Sequence, residues 1–294
     1  MTALFESDGP RFEGCDLELG RFEADGPLLV LAGGWSALFD ALAGERRIEA
    51  GSLTLAGESA EGLAGRGRVG LLRADPQFPL TWTSAEILRE SARLLGHSRR
   101  LAVEQATHVA AALGLVELLP KRLSALSLGQ RRAIGIAAAA LGEPVALALE
   151  EPFGALEPSE QAFVAAVLKR ILPIRPLLVS VAELTGSAER DDFIATATEI
   201  LLLGRQGLAA RGRHSELLGR AATYRLAVLS PAAPLLSRLV DAGYEARAVL
   251  GNETALVVVD TKGEGTEPFF AAALAVGLPI VELCPLAPFG AEPH

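Results

Sequence analysis

The stretch Leu126–Pro158 constrains the fold of this chain more than any other. It starts with Ser127, a residue type favoured at helix N-caps, followed by an alanine-rich helical run. The continuous apolar run Val145–Leu149 comes next and is typical of a central parallel strand covered on both faces. Glu150 and Glu151 then follow the strand directly. The order predicts an α/β unit in which a buried strand ends in two acidic side chains.

Strand and helix patterns alternate through the first part of the chain. The apolar run Leu28–Ala32 ends in glycine, as a buried strand that enters a turn does. Leu177–Val181 reads as a second central strand, and Glu199–Leu203 and Leu208–Ala210 read as the two strands of a hairpin around Gly204. The alternation predicts an α/β fold with a largely parallel sheet.

The pattern changes near Ala221, where we expect a domain boundary. The remainder reads as strand, helix, strand, strand, helix and strand, at Tyr224–Leu229, Pro231–Ala242, Ala246–Leu250, Thr254–Asp260, Glu267–Val276 and Ile280–Leu286. This β-α-β-β-α-β order predicts a small ferredoxin-like α+β domain. We therefore expect two domains, residues 1–220 and residues 221–294.

The acidic composition argues against a nucleic-acid partner. The chain has 294 residues, a formal net charge of −9 and an isoelectric point near 5.1, whereas nucleic-acid-binding surfaces are usually basic. The mean hydropathy is +0.33, yet no apolar run approaches the ~20 residues that cross a bilayer. The best candidate, Phe269–Val281, contains Gly277 and Pro279 and reads as a helix, a turn and a strand.

The cysteines and the first residues favour the cytoplasm. Cys15 and Cys284 lie far apart without the spacing of a metal site, which favours ordinary thiols in a reducing compartment. Met1–Pro10 has acidic side chains and lacks the basic-then-apolar pattern of a signal peptide.

The same stretch resembles the signature helix, Walker B strand and D-loop of ABC-transporter ATPases in their order and spacing. Leu126–Gln130 is similar to the signature, Glu150 and Glu151 to the Walker B acidic pair, and Gly154–Pro158 to the D-loop. The resemblance covers about Gly26–Leu203 and implies an ABC-ATPase-like P-loop fold. The tail resembles the small C-terminal domain of exporter ATPases of the drug-efflux and gliding-motility type.

The resemblance also implies that this chain lacks an ATP site of its own. The phosphate-loop lysine position falls on Trp35, and no lysine occurs before Lys121. The positions of the Mg²⁺-sensing glutamine, the Mg²⁺-holding aspartate and the switch histidine fall on Ala74, Glu150 and Ala182. The lost electrostatic clamp is the main source of phosphoryl-transfer catalysis. We expect no catalytic residue and no cofactor in cis, although Glu151 keeps the position of the catalytic glutamate.

The signature is better preserved. ATPases of this family pair head-to-tail, so that each site takes its phosphate loop from one chain and its signature from the other. The resemblance therefore implies that Ser127, Gly129 and Gln130 contact ATP and Mg²⁺ bound to a partner. Leu128 replaces the usual second glycine. The alternative is an ordinary helix capped by Ser127.

Partner contacts are expected on the loop that follows Ala74. Family members receive the coupling helix of their permease there, so Phe78 and Trp82 are candidate permease contacts; the alternative is that both pack inside the protein. The expected partners are an ABC permease and either an active paralogous ATPase or a second copy of this chain. Such a subunit lies on the inner face of the cell membrane as a peripheral protein.

Three functions remain open at this point. The first is a catalytically degenerate ABC ATPase-like subunit of an exporter, which supplies its signature to an active partner. The second is a weak, unconventional ATPase that uses Glu151 and an arginine such as Arg73, because arginine binds phosphate well. The third is a structural homodimer without nucleotide.

Overall fold

The computed structural model of the chain describes residues 4–15, 19–59, 68–182, 184, 186–204, 207–214, 217, 223–229, 233–241, 244–249, 254–260 and 280–286. The chain divides into two compact units. Residues 1–182 and 186–213 belong to the first unit, and residues 183–185 and 214–294 belong to the second.

The first unit alternates strands and helices as the sequence predicts. Its described elements are β1 (Phe5–Phe12), β2 (Arg21–Ala24), β3 (Leu28–Ala32), α1 (Ser36–Leu42), β4 (Ile48–Leu55), β5 (Glu58–Ser59), β6 (Val69–Leu72), α2 (Ser84–Leu94), α3 (Arg99–Leu113), α4 (Leu128–Ala139), β7 (Ala146–Leu149), α5 (Pro158–Ile171), β8 (Leu177–Val181), α6 (Ala188–Ala195), β9 (Glu199–Gly204) and β10 (Gly207–Gly212).

A six-stranded sheet forms the centre of this unit, in the order β10-β9-β3-β8-β7-β6. All neighbours are parallel except β9 and β10, which form the predicted antiparallel hairpin. Every residue of β3, β7 and β8 is buried. Strands that are apolar at nearly every position need cover on both faces, and for this reason the sequence pattern predicts these three strands.

A second, antiparallel sheet has the order β2-β1-β4-β5. Its strands β1 and β2 carry alternating buried and exposed residues, so one face packs and the other meets solvent. The packed face contributes Phe5, Phe12 and Leu53 to the same core as Trp35. This sheet therefore helps to bury the segment that follows β3.

Close packing fixes the position of α4 over the central sheet. A Cβ atom on Gly70 of β6 would lie 1.9 Å from the carbonyl oxygen of Ala139, at the end of α4. Only a glycine allows this approach between strand and helix. The start of α4 thereby lies near the loops that follow β6 and β7.

The second unit has the predicted split βαβ arrangement. Its described elements are β11 (Thr223–Leu229), α7 (Ala233–Asp241), β12 (Glu245–Val249), β13 (Thr254–Asp260) and β14 (Ile280–Leu286). The sheet order is β12-β13-β11-β14 with antiparallel neighbours, so β13 separates the two strands that α7 joins. The helix predicted at Glu267–Val276 and the boundary near Ala221 lie outside the described residues.

Candidate functional site

The connection from β3 to α1 is very short and ends in a buried tryptophan. Only Gly33, Gly34 and Trp35 join the two elements. Trp35 is 1% exposed, and its indole Nε1 donates to the carbonyl oxygen of Ala32 at 2.9 Å. The backbone N–H of Gly33 donates to Val181 at 3.0 Å, and that of Trp35 donates to Gly33 at 3.1 Å. Two N–H groups of this loop are thus bonded within the protein.

A cluster of charged side chains lies at the ends of α1, β6 and β7. Arg73, directly after β6, donates from Nε to Oε2 of Glu150 at 2.7 Å, from Nη1 to Oε2 of Glu45 at 2.5 Å and from Nη2 to Oδ1 of Asp40 at 2.6 Å. Asp40 also accepts from Arg46 at 2.9 Å. We call these five residues the Arg73 cluster. Its guanidinium already faces three carboxylates.

The electrostatics of the Arg73 cluster favour the charged form of Arg73. Burial by itself lowers the pKa of Arg73, but the hydrogen bonds to Glu150, Glu45 and Asp40 outweigh it and raise the pKa above its ordinary value. The Arg73 side chain is 30% exposed and that of Glu150 only 8%. The Glu150 carboxylate therefore depends on Arg73 as its charge partner.

Ala74 is held by the same loops as Glu150. Its backbone N–H donates to Oε2 of Glu150 at 3.1 Å, and its carbonyl oxygen accepts from the buried Arg132 of α4. Gln77 does not stand in for the glutamine expected at Ala74, because its Nε2 donates locally to Asp75 at 2.7 Å. The structure thus brings Ala74 and Glu150 together without an amide side chain between them.

Glu151 and Ala182 are also in contact. The N–H of Ala182 donates to Oε2 of Glu151 at 3.0 Å, and the N–H of Glu151 donates to the hydroxyl of Ser180 at 2.9 Å. Glu151 has a positive φ of 46°, which is uncommon for a residue with a side chain. Burial raises the pKa of Glu151, and the bond from Ala182 opposes this. Glu151 is thus anchored by the backbone of Ala182, the position predicted for the switch histidine.

The three residues predicted to form the signature, Ser127, Gly129 and Gln130, lie at the N-terminus of α4. Ser127 is the N-cap, and Gln130 completes a capping box: the Gln130 N–H donates to the Ser127 hydroxyl at 3.3 Å, and the Ser127 N–H donates to Gln130 Oε1 at 3.2 Å. The Gly129 N–H donates to the Glu160 carboxylate of α5 at 3.0 Å. The Gly129 amide and the Ser127 hydroxyl lower the pKa of Glu160.

The two aromatic residues predicted to contact a permease differ in exposure. Phe78 is half-buried and lies against α4, whereas Trp82 is 39% exposed. The exposed Leu80 lies between them in sequence. A cavity of about 260 Å³ is lined by Asp75, Pro76, Gln77, Phe78, Leu80, Leu123, Leu128, Arg131 and Arg132. The loop after Ala74 and the start of α4 thus share one concave surface.

The chain is similar to known transporter ATPases in sequence and in fold. Residues 31–154 match the family described as ABC transporter. Among solved structures, an inward-facing putative metal-chelate type ABC transporter aligns with a TM-score of 0.62 at 18% identity, over 88% of this chain and 97% of that one. The ADP conformation of an ATP-binding cassette aligns with a TM-score of 0.61 at 16% identity, over 74% and 95%. The chain has the ABC ATPase fold.

Relatives of the ABC domain include importers and a flippase. The taurine import ATP-binding protein TauB of Pseudomonas aeruginosa is 34% identical over 147 residues, which are 48% of this chain and 54% of TauB. The ATP-dependent lipid A-core flippase of Vibrio cholerae is 31% identical over 137 residues, 44% of this chain and 22% of the flippase. The chain spans about half the length of TauB, and less of the flippase.

Three acidic residues that contact the predicted site residues or Arg73 carry no local sequence signal: Asp40, Glu45 and Glu160. Asp40 and Glu45, at the end of α1, read as solvated charges until the fold places them against Arg73. Glu160 reads as part of the first turn of α5.

The described residues contain neither a cluster suited to a metal ion nor a helix suited to span a membrane. Among the residues that the structure describes, no three His, Cys, Asp or Glu side chains are arranged to hold a metal ion. Asp40, Glu45 and Glu150 converge on Arg73 instead. In the described part of the chain, no helix has the length and apolarity to traverse a bilayer.

Proposed function

We propose that this chain is a degenerate ABC ATPase subunit of a membrane exporter, which binds no ATP in its own phosphate loop. Its Ser127, Gly129 and Gln130 complete the ATP and Mg²⁺ site of an active partner ATPase. The observation that carries the proposal is the buried Trp35, whose indole is bonded inside the loop that would receive the phosphates.

The loop after β3 offers little to a triphosphate. A working phosphate loop wraps the phosphates with backbone N–H groups and adds a lysine on their oxygens. Here the N–H groups of Gly33 and Trp35 already donate to carbonyl oxygens of the protein. The indole at the lysine position adds bulk and no charge. These contacts support the loss of the cis site.

The Arg73 cluster supports the same conclusion for Mg²⁺. In the family, the carboxylate at the position of Glu150 holds Mg²⁺ through water. In this chain Oε2 of Glu150 accepts from both Arg73 and the Ala74 amide. A divalent cation at that carboxylate would lie within a few ångströms of the guanidinium, and like charges at such distances repel strongly in a half-buried site.

The same contacts weigh against the weak-ATPase alternative. That alternative needs Arg73 to bind phosphate in place of the missing lysine. The Nε, Nη1 and Nη2 atoms of Arg73 donate to Glu150, Glu45 and Asp40. Phosphate would have to bind beside three carboxylates that already neutralise this guanidinium and repel a further anion.

We further propose the partners and the location of the subunit. The relatives are named for import of taurine and for lipid A-core flipping, so membrane transport is the shared theme of the family. The partners are a permease and an active paralogous ATPase, or a second copy of this chain. The subunit lies in the cytoplasm, peripheral to the inner face of the cell membrane. The exporter assignment rests on the resemblance of the second unit to exporter ATPase tails.

The isolated chain is expected to bind no ATP. Titration calorimetry with ATP and Mg²⁺ should give no saturable heat at nucleotide concentrations up to the millimolar range, because neither loop N–H groups nor a cation meet the phosphates. TauB, measured in the same buffer, is the positive control. Saturable binding at millimolar or lower concentration would show that the loop after β3 still accepts nucleotide.

Trp82 is expected to support association with the permease. Replacing Trp82 by glutamate places a charge on the exposed part of the loop after Ala74, so the fraction of the chain recovered with washed host membranes should fall at least about fivefold. The matched control is Leu94→Glu, since Leu94 is an exposed apolar residue at the far end of α2. Equal recovery of both variants and the wild type would rule out this contact surface.

A further inference from the structure

The start of α4 is covered by a carboxylate of the same chain. Oε1 of Glu160 accepts from the Gly129 amide at 3.0 Å. Oε2 of Glu160 accepts from the Glu157 amide, at the start of its own helix α5, at 3.4 Å. A helix N-terminus favours an anion because its first N–H groups lack partners and its dipole is positive there. One carboxylate thus serves two helix N-termini.

Gly129 also packs closely against α5. A Cβ atom on Gly129 would lie 2.8 Å from Cβ of Glu160 and 3.3 Å from its Cα. The absence of a side chain at Gly129 is therefore used for packing inside the chain. The same open space would otherwise let a ligand approach the backbone.

The other two signature residues are bonded to each other. The Ser127 hydroxyl accepts from the Gln130 amide at 3.3 Å, and Oε1 of Gln130 accepts from the Ser127 amide at 3.2 Å. Ser127, Gly129 and Gln130, the three residues proposed to contact the ATP of another subunit, therefore all form hydrogen bonds within this chain. Of the groups in these three hydrogen bonds, only the Glu160 carboxylate places a negative charge at the start of α4.

We propose that Glu160 is an autoinhibitory contact that closes the start of α4 to phosphate in the free chain. Its role in trans rests on the proposed function, because a phosphate of the partner's nucleotide would have to displace this carboxylate from the Gly129 amide. A tethered carboxylate competes at a high effective concentration and lowers the apparent phosphate affinity by about tenfold or more. Pairing with the partner therefore requires a movement of α5 or of the Glu160 side chain.

The test is a titration of the full chain, labelled with ¹⁵N, with inorganic phosphate and then pyrophosphate. Ionic strength is held constant with potassium chloride, because surface electrostatics is screened by salt. The readout is the amide resonance of Gly129. In the wild type it should shift only at the highest phosphate concentrations, whereas in Glu160→Ala it should shift in a saturable way, with an apparent affinity at least about tenfold higher.

Two further variants make the titration decisive. Glu160→Gln keeps the size of the side chain and removes its charge, so it should also respond if Glu160→Ala folds poorly. Glu86→Ala is the matched control, because Glu86 is the corresponding residue of the capping box of α2 and bonds Thr83 at 2.7 Å, away from Gly129. It should behave like the wild type.

The proposal is overturned if the Gly129 resonance responds alike in the wild type and in both Glu160 variants, whether all of them shift or none does. This result would leave the ATP titration of the isolated chain untouched, since that experiment reads the loop after β3. Conversely, ATP binding in cis would overturn the proposed function without changing the response at Gly129.

Discussion

Replacing Trp35 by alanine is expected to lower the free energy of unfolding of the first unit by about 3–5 kcal/mol. The side chain is 1% exposed and lies in the core that joins the two sheets of this unit. The substitution removes a large buried ring and leaves a cavity, and it also leaves the Ala32 carbonyl without the indole donor. Urea denaturation followed by far-ultraviolet circular dichroism measures the loss.

The chain contains its own control for this experiment. Trp82, the other tryptophan, is 39% exposed, so Trp82→Ala should cost about 1 kcal/mol or less. A similar loss at both positions would mean that the measured change does not report burial. A small loss at Trp35 alone would contradict the packing of the loop after β3 and would reopen its use as a phosphate site.

The packing of Trp35 also explains why a lysine at this position should not restore ATP binding. In Trp35→Lys the ammonium would have to leave the core, and the N–H groups of Gly33 and residue 35 would still donate to protein carbonyls. Glu150 would still be held by Arg73. Under the proposed function, a phosphate site here would therefore need several substitutions together, both in the loop after β3 and in the Arg73 cluster.

The parts of the fold that could be predicted from sequence are those whose pattern is local. β3, β7 and β8 are buried on both faces, so β3 and β7 are apolar throughout and β8 is interrupted only by Ser180. β1 and β2 gave no such signal. They have one exposed face, and β1 includes charged side chains and Gly9 and Pro10, which read as a loop.

The candidate site likewise has a part that the sequence predicts, the motif positions, and a part that it does not, their contacts. Its positions follow from motifs at known spacing, and so Trp35, Glu150 and Ser127 could be proposed as site residues from the sequence. Their partners could not, because the contacts join residues far apart in the chain. Arg73 meets Glu150 across 77 residues and Asp40 across 33, and Gly129 meets Glu160 across 31. Such contacts depend on strand order and helix packing, which a single sequence pattern does not contain.

Replacing Arg73 by methionine is expected to lower the free energy of unfolding by about 2–3 kcal/mol. Methionine fills similar space but leaves Glu150, Glu45 and Asp40 facing one another without their shared cation. The Glu150 side chain is only 8% exposed, so water compensates it poorly. The expected loss of unfolding free energy is smaller than for breaking a fully buried ion pair, because the Arg73 side chain is 30% exposed and water partly screens its charge.

A double-mutant cycle attributes this loss to the ion pair. Glu150→Gln keeps an acceptor for the Ala74 amide and removes the charge, so the double variant Arg73→Met/Glu150→Gln should be more stable than the sum of the single losses predicts, by about 1–3 kcal/mol. Arg21→Met is the control, since the Arg21 side chain is 84% exposed and its 3.5 Å contact with Asp8 should contribute almost nothing. Additive losses would mean that Arg73 does not stabilise the Glu150 carboxylate. Glu150 would then be available to a metal ion, which would contradict the proposed loss of the Mg²⁺ site.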